Sequence, residues 1–265
     1  MKHLIAASVV ALLAQGAFAQ DNPLTESPTW EDLRVDLIGE VTPQDGSGLF
    51  EIDAPYRAHD AATVPIRIHQ SEDATPIREA MLVIDENPAP MAADLTFGDA
   101  MAPLDFELRV RVNQYSNVRL VAETETGTYM SGRFVKASGG CSAPASRDPE
   151  VALANMGKMR LKTFDDAPKM SGQRREAQIM IRHPNYSGLQ RDQVTQLFIS
   201  AHFIEEMEVF QGEEKLFTLT GGISVSENPV FRFGYRDNGA PTIRVRAVDT
   251  EGNVFDQTLP KFAES

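Results

Sequence analysis

Short runs of alternating apolar and polar residues recur along most of this chain, each closed by a Gly, Asn or Pro turn. A period of two marks strands with one buried face, and a chain built this way has little choice but to stack sheets. Between 105 and 112, Phe106, Leu108, Val110 and Val112 fall on one face, with Glu107, Arg109 and Arg111 on the other. Residues 64–69 alternate after Pro65, and 80–85 form a nearly continuous apolar run that stops at Glu86-Asn87-Pro88. Residues 118–125 and 128–135 flank Thr126-Gly127 and predict a hairpin. Further strands are expected over 177–182, 197–209, 213–219, 230–235, 242–248 and 254–259, with turns at sites such as Gln211-Gly212 and Asn238-Gly239. The helical signal is confined to 30–38, where Trp30, Leu33, Leu37 and Ile38 share a face and Thr29 is the expected N-cap. The pattern predicts an all-β protein with a β-sandwich in each half.

Apolar alternation fades over 138–176, where Gly, Ser, Pro, Lys and Arg dominate. This stretch is the expected linker, joining a first sandwich over 20–137 to a second over 177–265. Residues 1–19 read as a cleaved signal peptide: Lys2 and His3 start it, Leu4 to Leu13 is apolar, and Ala17-Phe18-Ala19 is a small-residue cleavage pattern. No cysteine lies near that cleavage site, so a lipid anchor is not expected. The apolar run is too short to span a bilayer, so the expectation is a periplasmic protein with no membrane span. A formal net charge of −13 excludes nucleic acid as a partner, because phosphate binding needs clustered Lys and Arg.

Cys141 is the only cysteine, in the stretch Ser138-Gly139-Gly140-Cys141-Ser142-Ala143-Pro144. With no second cysteine it forms no internal disulfide, and an exported protein with one leftover thiol invites a chemical use for it. Gly139 and Gly140 suit a flexible, exposed arm on which another protein can approach the sulfur. Held at both ends, a free loop over 138–148 reaches about 15 Å from its anchors. Lys136 and Arg147 are too far along the chain to lower the thiol pKa strongly, so an ordinary thiol activated by a partner is expected. Nothing beside it suggests an enzyme acting alone. Beyond His3, the histidines His59, His69, His183 and His202 lack metal-ligand spacing, and His183 and His202 read as hydrogen-bonded histidines at strand ends. Asp148, Glu150 and Asp165-Asp166 lack calcium-loop spacing, and Ser187-Gly188 and Gly221-Gly222 read as turns. No metal and no cofactor are expected.

A set of landmarks in fixed order resembles the two subunits of the SoxYZ carrier of bacterial periplasmic sulfur oxidation, fused in one chain. Ala54-Pro55-Tyr56-Arg57-Ala58, Val64-Pro65-Ile66, the run from Val83 to Pro90 and Gly139-Gly140-Cys141 resemble SoxY. His183-Pro184-Asn185-Tyr186-Ser187-Gly188, Ala201-His202-Phe203-Ile204 and the run from Ile223 to Pro229 leading into Phe231-Arg232-Phe233 resemble SoxZ. The resemblance implies two immunoglobulin-like β-sandwiches paired within the chain. It also implies a carrier rather than an enzyme, with Cys141 as the covalent attachment point for a sulfur intermediate shown to partner enzymes of sulfur metabolism. One departure stands out. The SoxY arm ends the subunit, with two glycines after the cysteine, whereas here Ser142 and Ala143 follow and the chain runs on. In this the chain is more similar to fused SoxYZ-like carriers associated with quinoprotein (pyrroloquinoline-quinone) alcohol dehydrogenases. The alternative that this implies is a non-catalytic accessory binding module of such a dehydrogenase system.

Overall fold

The computed structural model describes residues 22–145, 149–164 and 172–262; the expected signal peptide lies outside them. Helix α1 (Pro28–Ile38) comes first. Strands β1 (Gln44–Asp45), β2 (Glu51–Asp53), β3 (Val64–His69), β4 (Glu79–Ile84), β5 (Met91–Phe97), β6 (Asp105–Val110), β7 (Ser116–Thr124) and β8 (Gly127–Val135) follow. A short helix α2 (Pro149–Ala154) leads into β9 (Met159–Thr163), β10 (Arg174–Ile181), β11 (Ile204–Gln211), β12 (Glu214–Gly221), β13 (Val230–Arg236), β14 (Thr242–Asp249) and β15 (Val254–Pro260). The all-β expectation holds, and each half is a two-layer sandwich of the immunoglobulin-like kind.

The two sandwiches are not separate bodies on a string, because both sheets run through both halves. The larger has the order β1-β8-β7-β4-β5-β12-β11-β14-β15 and the smaller β2-β3-β6-β13-β10-β9. The halves meet where β5 pairs antiparallel with β12 and β6 with β13. Leu95 lies opposite Leu219 and Phe97 opposite Phe217 in the first pairing, and Phe106 opposite Phe233 in the second. The inward faces share one core. Its centre is a chain of aromatic rings, with Phe97 to Phe106 at 5.5 Å and then Phe106 to Phe217 and Phe217 to Phe233 at 5.1 Å each, all tilted towards edge-to-face. That geometry suits the ring quadrupoles and adds to the burial of each side chain. Residues from both halves therefore stabilise each other directly.

Helix α1 covers the outer face of the larger sheet. Its N-cap is Ser27 rather than Thr29: the Ser27 hydroxyl accepts from the Trp30 N–H at 3.2 Å. Trp30 packs with Val83 and Val121, and Leu37 and Ile38 close the same cluster, as the shared face predicts. Arg119 stacks over the Trp30 ring at 4.7 Å and forms a buried ion pair with Asp85.

Several segments differ from the sequence reading, among them the short strands β1 and β2, which it did not anticipate. Strand β5 was hidden because its Ala92, Ala93 and Asp94 have low strand propensity and follow a Pro-rich turn. The stretch expected as linker contains α2 and β9, and β9 alternates half-buried and exposed residues as an edge strand beside β10. The strand expected from 197 begins only at Ile204; the residues before it form a surface loop.

Candidate functional site

The cysteine segment leaves β8 at Val135 and turns inward. The Gly139 N–H donates to the Asn113 carbonyl at 2.8 Å and the Gly140 N–H to the Val112 carbonyl at 3.2 Å. Gly139 has φ of +76°, a left-handed conformation open to glycine without steric cost. Gly140 is packed so closely that a Cβ there would stand 2.1 Å from the Ala61 carbonyl oxygen. Cys141 comes next and is 0 % exposed, while Ser138 and Ser142 reach solvent. This corrects the expectation of an exposed thiol on a loose arm. In this structure one glycine supplies the turn and the other the close approach, and together they fold the sulfur inward.

The second half closes over the segment. Ser187 Oγ donates to the Cys141 carbonyl, and Gln190 Nε2 donates to the Ala143 carbonyl at 3.1 Å. The two side chains are braced together, since the Ser187 N–H donates to Gln190 Oε1 at 3.1 Å. Among the described residues no histidine or carboxylate is hydrogen-bonded to the Cys141 sulfur. Burial pushes the thiol up to about 11, only partly offset by the positive charge of Arg111. The resting thiol is therefore neutral and a poor nucleophile, rather than the ordinary thiol that the sequence suggests.

Arg111 lies at the junction of the halves and is 1 % exposed. Its N–H donates to the Ser224 carbonyl at 2.7 Å, and its carbonyl accepts from Asn87 Nδ2 at 2.7 Å. Its Nη1 donates to the Val225 carbonyl, whereas its Nε has no acceptor among the described residues. Sequence alternation put Arg111 on the solvent side of a strand. The strand ends at Val110, and Val110, Arg111 and Val112 are then all buried, so the period of two no longer applies.

A second cluster joins His183, His202 and Asp249, which sequence spacing gave no reason to associate. Asp249 Oδ2 accepts from His202 Nε2 at 2.8 Å and lies 3.4 Å from His183 Nε2. The same carboxylate accepts from the backbone N–H groups of Glu251 and Asn253 and from Asn253 Nδ2. Burial opposes its ionisation, but the hydrogen bonds from Asn253, His202 and His183 overcome this and hold its pKa at about 2. Burial, reinforced by His202, holds His183 below the usual histidine value against its hydrogen bonds to Asp249 and Asn185. The potential ligand atoms of the trio lie within 4.8 Å of one another, but all three groups already take part in hydrogen bonds that tie the 183–185 segment to the end of β14. This fits the strand-end reading of both histidines.

Beside the cysteine segment, residues 189–198 form an ordered loop with apolar side chains facing outward. Val194 is 90 % exposed, and Leu197 and Phe198 are also exposed. Asp192 caps the turn by accepting from the Val194 and Thr195 N–H groups, and the Arg191 guanidinium stacks on Phe198 at 4.2 Å.

Comparison with protein families matches residues 34–141 to the sulfur oxidation protein SoxY and residues 162–260 to the sulphur oxidation protein SoxZ. Cys141 is the last residue of the first match. No curated protein sequence matches the chain. Among solved structures, the sulfur carrier protein SoxY from Chlorobium limicola f thiosulfatophilum is similar at 24% identity and a TM-score of 0.35, over 41% of this chain and 91% of that one. With a SoxY domain and a SoxZ domain in one polypeptide, sharing both sheets and one core, the chain belongs to the SoxY/SoxZ sulfur-carrier family as a fused SoxYZ-like member.

Proposed function

We propose that this protein is a periplasmic carrier that holds a sulfur-containing intermediate covalently on Cys141 and presents it to partner enzymes of sulfur metabolism. The observation that carries the reading is the position of Cys141. The only cysteine of the chain closes the SoxY match, on a segment held to the SoxZ half by few bonds. A thiol raised to about 11, with no base hydrogen-bonded to it, suits a carrier better than a free-standing enzyme. The state described here is the retracted one. Opening it breaks the four hydrogen bonds made by Gly139, Gly140, Ser187 and Gln190, at about 0.5–1.5 kcal/mol each. Gly139 and Gly140 are then free to act as the hinge of an arm tethered at both ends.

Loading by thiosulfate is one balanced example: the Cys141 thiol joins the outer sulfur of thiosulfate, a proton leaves, and two electrons pass to an oxidant supplied by a partner redox enzyme. The apolar loop at Val194, Leu197 and Phe198 supports a protein partner, because clustered exposed apolar side chains mark interaction sites.

Intact-mass measurement of the protein from its native source tests the reading. Adducts in steps of about 32 Da, or larger sulfonate-bearing masses, are expected on Cys141 and absent from Cys141→Ala. Full rescue of a null strain by Cys141→Ala on the organism's sulfur sources and alcohols would favour an accessory binding module of a quinoprotein dehydrogenase system instead.

A further inference from the structure

Three buried carboxylates and three buried guanidiniums lie in the described residues of this fold, and their pairing is uneven. Arg119 is paired with Asp85 and Arg175 with Asp237. Arg111 has no carboxylate within ion-pair distance among the described residues, although it is just as buried. Its Nη1 is used on the Val225 carbonyl and its Nε–H is left without an acceptor among the described residues. A buried guanidinium with no paired carboxylate is unfavourable, with only the longer-range field of Glu227 favouring its charge here, and so is a buried N–H with no acceptor.

The backbone shows what this group faces. Gly139 and Gly140 dock on the carbonyls of Asn113 and Val112, so Cys141 is delivered beside the residue that precedes them, Arg111. From the other half, Ser187 holds the Cys141 carbonyl, while Asn185 Nδ2 and Arg111 Nη1 share the Val225 carbonyl. The Cys141 backbone and the Arg111 guanidinium are thus anchored on neighbouring segments, around 112–113 and 187 for the first and 223–225 for the second. The electrostatic coupling between Arg111 and Cys141 agrees with that placement.

We infer that Arg111 is the cargo-binding residue of the retracted state, its free Nε–H and its charge receiving the negative charge of a sulfur anion carried on Cys141. The inference rests on the carrier reading and deepens it. The unloaded thiol is neutral and offers Arg111 nothing. A persulfide, whose terminal S–H is more acidic than a thiol, or a thiosulfonate brings a negative charge that a guanidinium matches with a charge-assisted hydrogen bond. Retraction is then selective: the loaded anionic carrier closes more firmly than one bearing a neutral adduct of similar reach.

The experiment loads the mature full-length chain chemically, so it does not depend on native cargo. Tetrathionate reacts with the Cys141 thiolate to leave –S–SO3⁻ on the sulfur and release thiosulfate. Methyl methanethiosulfonate leaves a neutral –S–CH3 and releases methanesulfinate. Where the native fold resists loading, the adduct is made in urea and the protein refolded, with intact mass confirming one adduct. The rate at which a neutral phosphine cleaves each disulfide is then measured in folded and unfolded protein, and the folded-state protection factors are compared. Protection of the charged adduct is expected to exceed that of the neutral one about tenfold or more. The ratio should fall to near one in Arg111→Met and to an intermediate value in Arg111→Lys. A ratio of one or below in the unaltered protein overturns the inference, as does a ratio that Arg111→Met leaves unchanged. Should Arg111→Met fail to fold, Arg111→Lys decides: a lowered ratio supports the inference and an unchanged one overturns it. Absence of any sulfur adduct on native protein would count against the carrier reading alone.

Discussion

The Ser187 hydroxyl donates to the carbonyl of Cys141, 46 positions earlier in the chain, so a residue of the SoxZ half holds the cysteine of the SoxY half in place. This one bond couples the state of the thiol to the integrity of the junction between the halves.

Cys141 should therefore react slowly in the folded protein. Opening four hydrogen bonds costs about 2–6 kcal/mol, which leaves an open fraction on the order of 10⁻² to 10⁻⁴. Maleimide labelling should be slower than in denaturant by a factor of that order. Ser187→Ala, which removes one latch, should raise the native rate about two- to tenfold. Equal labelling rates for native and unfolded protein would mean that the closed segment is not populated.

The raised thiol pKa makes a signed prediction for stability. The folded state holds the Cys141 proton more tightly than the unfolded state. The resulting stabilisation is complete below the ordinary value of 9.0 and is lost as pH climbs to about 11. Over that window the unaltered protein should lose about 2–3 kcal/mol more than Cys141→Ala does, measured by urea unfolding at each pH. Parallel pH profiles for the two proteins would contradict the burial of the thiol. Because the site is closed, Cys141→Ser should cost about 1–3 kcal/mol, a price that an exposed loop position would not exact.

Phe217 touches Phe106 from the first half and Phe233 from its own, so its loss is felt on both sides. Phe217→Ala should cost about 3–5 kcal/mol and lower a single shared unfolding transition, read by calorimetry. Two independent transitions, only one of them shifted, would show that the halves fold separately. By the same logic, residues 22–145 and 149–262 produced as two chains should recover a folded complex only when mixed.

Asp249→Asn should destabilise the fold by about 1–3 kcal/mol, because a carboxylate that accepts from His202, His183 and Asn253 becomes an amide with one acceptor oxygen. In the unaltered protein the Asp249 contribution is present above its ordinary value of 3.8 and is lost as pH falls towards 2. Acid unfolding curves of the two proteins should converge across that window.

Much of the sheet framework was readable from residue order. Strand β3 lies where alternation put it, and β6, β7, β8 and β10 to β15, except β11, differ only at their ends. Reading failed where a short-range pattern was overruled by a distant partner. Strand β5 is poor in strand formers but is flanked on both sides, by β4 and β12, which satisfy its backbone. The residues before β11 look like strand but find only isolated bridges, Phe198 to Arg191 and His202 to Tyr186, and leave Leu197 and Phe198 exposed. The cysteine shows the same limit. Gly139-Gly140 is equally compatible with a mobile arm and with a tight inward turn, and only the contacts with Ala61, Val112 and Ser187, far away in sequence, select the second. Arg111 gave no signal at all, because its burial follows from the end of its strand and not from its neighbours' chemistry.

The ladder between β5 and β12 fixes how the two halves recognise each other. Side chains alternate faces along a strand, so a slip of one residue at this ladder would turn Phe217 and Leu219 out of the core and bring Thr218 and Thr220 in. Only even shifts keep the pattern, and a shift of two would break the opposition of Phe97 to Phe217 at the rim. Matching between a SoxY-type and a SoxZ-type partner is thus written partly in the parity of these two strands, beside the second ladder between β6 and β13. Chimeras that join halves from different relatives should assemble when the spacing of large residues at 95, 97, 217 and 219 is kept, whatever the rest of their surfaces look like.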